Sequence, residues 1–312
     1  LLKFDNDPFS KWEAGQSLMR KAIFNRMNGS ISIEFEENLL SSLKMIINSN
    51  NENTQHILSS LINIPGFSEL EVCEKNINPI DLYKARNEFK IFLGENLLNT
   101  FKDLLLRNKE YCLNKWPKGQ QARRNTSLAL NFLASARDQD ALKEALDNVK
   151  SNSMTIAKSA LLALHPVDCE ERELAMEIFY ERWKDRSFIL DSWFSLVASM
   201  PSKNALQVTK ELLTNPRFDR VAPNSIRAVL GGFSSNIPAF HALDSSGYQF
   251  LSEQLICVDG LNPITASRLV KVLASWKNYK NPFRENMFNI ICKLSESNLS
   301  FNTKEIVNLL LS

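Results

Sequence analysis

Apolar residues recur along this chain with the period of an amphipathic helix rather than of a strand. After Asn262, residues Ala266, Leu269, Val270, Leu273 and Ala274 keep the i, i+3, i+4, i+7, i+8 spacing of one buried face. Asn262 is a good N-cap there, and Pro263 suits the first helical position, where its missing N–H costs nothing. Asn302 with Glu305 reads as a capping-box variant before Ile306, Val307, Leu309 and Leu310, as does Asn204 with Gln207 before Val208, Leu212 and Leu213. Asp140 is expected to start a short helix carrying Ala141, Leu142, Ala145 and Leu146, and Pro223 to Arg227 to open another.

Brief breaks separate these stripes: Ile64-Pro65-Gly66, Trp116-Pro117-Lys118-Gly119, His165-Pro166, Met200-Pro201 and Asn215-Pro216. They leave segments of about 10 to 20 residues, ordinary for globular helices. The asparagine-rich tract from Asn48 to Asn53 is expected to be a surface loop, and Asn236 to Tyr248 a connection dense in turn formers. Ile178, Phe179, Trp183, Ile189, Leu190, Trp193 and Phe194 fit the packed faces of two consecutive helices better than a recognition patch around Asp185-Arg186. The predicted fold is all-α: paired antiparallel helices in a superhelical, armadillo/HEAT-like array, with no strict sequence repeat.

Composition supports that reading. Of 312 residues, 9 are Gly and 11 Pro, about half of the roughly 12% found in ordinary usage. The net charge of +2 gives no electrostatic reason to expect nucleic acid or an anionic membrane as partner. Arg123-Arg124, the tightest basic pair, reads as a solvated helix start rather than a phosphate site. No apolar run approaches the roughly 20 residues of a bilayer span. At least 34 residues separate neighbouring cysteines, which excludes metal-knuckle and redox spacings, and the odd count points to a reducing compartment, the cytoplasm. The start, Leu1-Leu2-Lys3-Phe4 without methionine, suggests a fragment.

Candidate chemistry is thin. His56, His165 and His241 are far apart, and none stands in His-Glu-x-x-His, which sets two imidazoles one helical turn apart on a metal. His165 and Cys169 are separated by Pro166 and fit a helix-joining turn better than a thiol protease. No nucleophile elbow, phosphate loop or dinucleotide fingerprint occurs. Two arginines stand out. At about 100° per residue, Arg268 lies opposite the stripe of its own helix, and Arg227 flanks the stripe of Ile226, Val229, Leu230 and Phe233. Physics alone makes a solvated side chain the default for each; a carboxylate-binding pair is the sharper alternative.

Several motifs point to a family. Asn6-Asp7-Pro8-Phe9-Ser10-Lys11-Trp12-Glu13-Ala14-Gly15-Gln16 is similar to an Asn-Asp-x-Phe-x-Arg-Trp-Glu-Ala-x-Gln segment, with Lys11 in place of Arg. Asp191-Ser192-Trp193-Phe194, Asn224 to Arg227, and Asn236 to Tyr248 follow, the last with Ser245 where Gly is usual; Asn262 to Arg268 matches Asn-Pro-x-x-Ala-Ser-Arg. On these residues the chain resembles the C-terminal domain of bacterial aminopeptidase N, of the zinc-dependent gluzincin metallopeptidases. The likeness spans nearly all of residues 1–312 and is weakest from Ile31 to Asn125.

The resemblance implies one helical domain over 1–312 that closes over the catalytic domain of the same polypeptide and encloses the cavity admitting peptide substrates. It implies zinc in the parent enzyme, whose His-Glu-x-x-His and Gly-x-Met-Glu-Asn motifs belong to the preceding domain. The segment alone is then expected to be inactive, with catalytic and metal residues none. Carried over, Arg227 and Arg268 would line the cavity and attract peptide carboxylates. The competing expectation is a stand-alone helical-repeat scaffold binding a protein on its concave face. Such a scaffold needs a polar N-terminal cap, which Leu1-Leu2-Lys3-Phe4 does not provide.

Overall fold

The computed structural model describes residues 2–3, 5–49 and 51–312, apart from the side chains of Glu52 and Asn53. The reading of the start from Leu1 to Phe4, and that of Asn50 in the asparagine-rich loop, thus lie partly outside the described residues. Helices carry the chain from Pro8 to Leu311, and no strand occurs among the described residues. One isolated bridge does: Ile77 N–H donates to Asn278 O at 2.9 Å, and Lys280 N–H donates to Ile77 O at 2.9 Å. The all-α expectation holds. The chain divides into two compact units, Leu1–Leu70 with Lys84–Phe179, and Glu71–Tyr83 with Tyr180–Ser312.

In the first unit the Lys118–Ser135, Gln139–Val149 and Met154–Leu164 helices pack on one another through short turns at 136–138 and 150–153. Phe101 and Phe132 stack in its core, ring centroids 4.5 Å apart; burying each such ring contributes about 1.5–3 kcal/mol. Asp7 caps the Pro8–Met27 helix by accepting the Ser10 N–H at 2.7 Å, with Pro8 in the first position. One expected start moves. The Gln139–Val149 helix is capped by Asp138, not Asp140, because Asp138 is extended and its carboxylate accepts the Ala141 N–H at 3.0 Å. Asp140 lies in the first turn, where a negative charge still suits the helix dipole.

The second unit is built around Phe194, Phe233, Phe240, Tyr248 and Phe250, all nearly inaccessible. Phe233 meets Phe250 edge-on at 5.1 Å, and Phe240 meets Tyr248 in the same way at 5.1 Å. Asn262 caps as expected, accepting the Thr265 N–H at 3.0 Å ahead of Pro263. Asn204 holds the cap position of the Ala205–Leu212 helix without a side-chain capping bond, and Gln207 reaches Glu211 instead. The predicted stripe after Asn262 bends: Ala274 is exposed and Trp276 is buried. From Val270 to Asn278 the helix tightens to 3-10 geometry, whose period of three aligns Val270, Leu273 and Trp276 inward.

The final helix, Phe301–Leu311, is capped by Ser300 rather than Asn302, because Ser300 is braced from across the unit. Asp259 accepts the Ser300 N–H and Oγ–H, each at 2.6 Å, and the Thr303 hydroxyl. Burial pushes the Asp259 carboxyl up, but the Ser300 and Thr303 donors outweigh it and hold it below the ordinary range. Asp259→Ala should cost about 2–3 kcal/mol, because three donors lose a charged acceptor. Its contribution should be intact above the ordinary carboxylate pKa and fade as pH falls through the depressed native value. Urea unfolding of both forms tests this, and an Asp259→Ala midpoint equal to that of the unsubstituted chain at pH 7 would refute it.

Candidate functional site

The two sequence-singled arginines lie in the second unit on segments that the fold packs side by side. Pro223–Ile226 is a single helical turn that runs into a π-helical turn, Arg227–Gly231. The Pro263–Leu269 helix carries Arg268 and packs against that π turn. Both arginines are exposed, as the helical wheel anticipated. Ala228, Val229 and Leu230, three consecutive residues, are all buried, so Arg227 marks a polar edge of an otherwise enclosed turn. Such π turns often occur where a helix must re-aim a functional side chain.

Sequence reasoning did not anticipate what anchors this turn. Ser225 Oγ–H donates to Asp191 Oδ1 at 2.6 Å, tying the Asn224 to Arg227 motif to Asp191-Ser192-Trp193-Phe194. A Cβ on Gly232 would lie 2.8 Å from Ser195 O, so the missing side chain lets the two helices approach. Arg227 folds back on its own first turn, Nε–H donating to Pro223 O at 3.2 Å and an Nη2–H to Asn224 Oδ1 at 2.6 Å. That arrangement fixes one edge of the guanidinium; a planar oxyanion requires a free edge or exchange of these bonds.

The Asn236 to Tyr248 connection is architectural. Asn236 caps the Ile237–Phe240 helix by accepting the Ala239 N–H, and its amide donates to Met200 O at 2.8 Å, closing the end of the Ser187–Ser199 helix. Ser245, where the related motif has Gly, sits at φ 63°; a side chain in this left-handed region costs about 1 kcal/mol. His241 is buried, and its Nδ1 shares a 2.6 Å hydrogen bond with Tyr248 Oη. Burial lowers its pKa to about 3, so the imidazole is neutral. Burial raises the Tyr248 hydroxyl, and burial followed by the Glu71 carboxylate raises that of Tyr279, which donates to Glu71 Oε2. Residues 71 and 279 are too distant in sequence for any local pattern to have signalled this contact.

Zinc does not fit these residues. Among the described residues, no group of three or more His, Cys, Asp or Glu is placed to hold a metal ion. His241 is enclosed by Phe240, Tyr248, Tyr279 and Phe283 rings. No helix among the described residues is long and apolar enough to cross a membrane.

The family model described as a domain of unknown function (DUF3458_C) with ARM repeats matches residues 1–312. The chain belongs to this family. The helical array expected from the segment lengths is therefore the ARM-repeat architecture of a recognised domain. This ARM-repeat domain is 28% identical to aminopeptidase N of Caulobacter vibrioides over 97% of its length, and 27% identical to aminopeptidase N of Escherichia coli K12 over 92%. It spans about a third of these relatives, 36% and 33% of their lengths. A solved structure of Legionella pneumophila aminopeptidase A in complex with aspartic acid matches with a TM-score of 0.87, over 99% of this chain and 37% of that one. Their identity of 23% supports the shared fold. The resemblance to aminopeptidase N read from the motifs is borne out.

Proposed function

We propose that this ARM-repeat domain is the non-catalytic C-terminal part of a cytoplasmic, zinc-dependent aminopeptidase that removes N-terminal residues from peptides. In this reading residues 1–312 act as one domain, pack on the catalytic domain of the same polypeptide, and enclose the cavity that admits peptides. The observation that carries it is the alignment of 97% of the chain with about a third of an aminopeptidase N. The zinc and the reacting groups belong to the catalytic domain; the residues here bind and orient. Arg227 and Arg268, exposed on adjoining segments, supply the positive edge of the cavity. Each guanidinium presents a fork of N–H donors that attracts the free carboxylate of a short peptide.

In the complete enzyme, Arg268→Ala should raise KM for di- and tripeptides about 10-fold, the loss of one charge-assisted contact. Substrates that end in an uncharged amide should change far less. Steady-state kinetics on matched peptide and amide substrates measures this, and equal effects on both would remove the carboxylate clamp.

A further inference from the structure

The basic recess of the first unit, where Arg86 and Lys90 meet Arg123 and Arg124, is bonded within the fold. Lys90 donates to Asn131 Oδ1, Arg86 Nε–H to Pro65 O at 2.7 Å, and an Arg123 Nη1–H to Cys112 O at 2.7 Å. Arg123 is thus ordered and half-buried, not the solvated helix start that the sequence suggested. A pocket in the second unit differs. It holds about 400 Å³ between the Ala205–Leu212 helix, the connection at 213–222, the Arg227–Gly231 π turn and the Ser246–Leu261 helix, within the usual volume range of small-molecule sites.

Its floor is apolar, made of the buried Ile226, Leu230, Phe250 and Val258, and the half-buried Leu213 and Phe218 form a wall. Phe218 is held in place by an edge-on contact with Phe194, ring centroids 6.1 Å apart. On the Ser246–Leu261 helix, Phe250, Glu253, Gln254, Cys257, Val258 and Leu261 follow the i, i+3, i+4, i+7, i+8, i+11 spacing. One whole face of that helix therefore borders the pocket. Covering its apolar part with a ligand removes hydrocarbon from water, which is favourable.

Charges of both signs stand at the rim: Lys210, Arg220 and Glu253, all exposed. Lys210 Nζ lies 6.0 Å from the Phe250 ring centroid, which puts the ammonium over the floor. Asp219 Oδ1 accepts the Val221 and Ala222 N–H groups at 2.9 and 3.1 Å and so shapes the turn that carries Arg220. Elsewhere in this unit Arg217 pairs with Asp185 and Lys184 with Glu181. Among the described residues, Lys210, Arg220 and Glu253 have no such partner. Two cations and one carboxylate above an apolar floor complement a zwitterion with an apolar side chain; an amphiphile bearing only a carboxylate would be repelled by Glu253. We propose that this pocket binds a free α-amino acid with a branched or aromatic side chain. That side chain rests on Ile226, Leu230 and Phe250, Lys210 and Arg220 hold the carboxylate, and Glu253 holds the ammonium.

Isothermal titration of the purified chain with L-leucine and with L-phenylalanine tests this. Saturable binding of one equivalent is expected for at least one of them, and glycine, which has no side chain to bury, should not bind. N-acetylphenylalanine lacks the ammonium and phenylalaninamide the carboxylate, so each should bind about 5-fold more weakly than phenylalanine. Glu253→Gln should weaken phenylalanine about 5-fold and leave N-acetylphenylalanine unchanged, while Lys210→Ala should weaken phenylalanine by a similar factor and spare phenylalaninamide. Lys203→Ala, exposed outside the pocket, should have no effect. Cys257 reports the place of binding: its exposed thiol lines the pocket, so phenylalanine should slow its alkylation by iodoacetamide while that of the exposed Cys73 is unchanged, as peptide mass spectrometry reads. No saturable binding of either amino acid, equal binding of N-acetylphenylalanine, or binding that leaves Cys257 unprotected or ignores Glu253→Gln would overturn the proposal.

Discussion

Gly247→Ala is expected to destabilise the Glu71–Tyr83 and Tyr180–Ser312 unit by about 3 kcal/mol, the upper range for overpacking. Within a helix this substitution ordinarily stabilises by about 1 kcal/mol, because Ala has the better propensity. Steric contact reverses the sign here. Gly247 is the second residue of the Ser246–Leu261 helix, and a Cβ on it would lie 2.4 Å from Phe240 O and 2.5 Å from Ala239 O. Both are backbone atoms, so no rotamer change relieves the overlap. Phe240 is itself held between Phe233 and Tyr248, which leaves the Ile237–Phe240 turn nowhere to go. Urea unfolding monitored by circular dichroism measures the loss; an unchanged or higher midpoint would mean that the turn can yield.

Acid lability is the second large effect. His241 has a native pKa of about 3 against an ordinary value of 6.5, so between these values the unfolded chain binds more protons than the native one. Its stabilising contribution is complete above pH 6.5 and is lost as pH falls toward 3, at about 1.4 kcal/mol per pH unit. Glu71 acts in the opposite sense. Burial raises its pKa against the opposing Tyr279 and Ser275 hydrogen bonds, so acidification favours the native state in its window. The comparison is therefore between the natural chain and His241→Asn, which share Glu71 and retain an amide facing Tyr248. From pH 6.5 to 4.5 the natural chain should lose about 2 kcal/mol more than the variant. Parallel stability curves for the two would show that His241 does not titrate on unfolding.

Much of the helical framework was legible in local pattern. Asn262 with Pro263, the breaks at Pro65, Pro166, Pro201 and Pro216, and the apolar stripes all describe interactions within one or two turns, which sequence spacing reports directly. The errors at Asp140 and Asn302 were shifts of two residues. In each case several polar residues competed for the cap, and backbone conformation or a remote brace chose Asp138 and Ser300. Asp259 in particular is decisive for Ser300 and invisible to any local window. The exposure of Ala274 likewise follows from a change of helical period that the stripe itself did not signal.

The candidate site divides in the same way. Arg227 and Arg268 were visible because each departs from the apolar stripe of its own helix, a property of one segment. That their segments adjoin, and that Ser225 joins Asp191, needed the fold. Lys90 and Arg86 escaped notice altogether. One turn apart on a helix they look like ordinary solvated cations, and only the packing of the Lys118–Ser135 helix brings Arg123 and Arg124 to the same recess.

By itself, then, the sequence determined the helical class, most helix limits, the two outward arginines and the resemblance to aminopeptidase N, because periodicity, caps and motifs are carried by neighbouring residues. The tertiary structure alone decided which polar groups meet across the chain: His241 with Tyr248, Asp259 with Ser300, and Lys90 with Asn131. Burial and charge are sums over neighbours distant in sequence, and they exist only once the chain has folded.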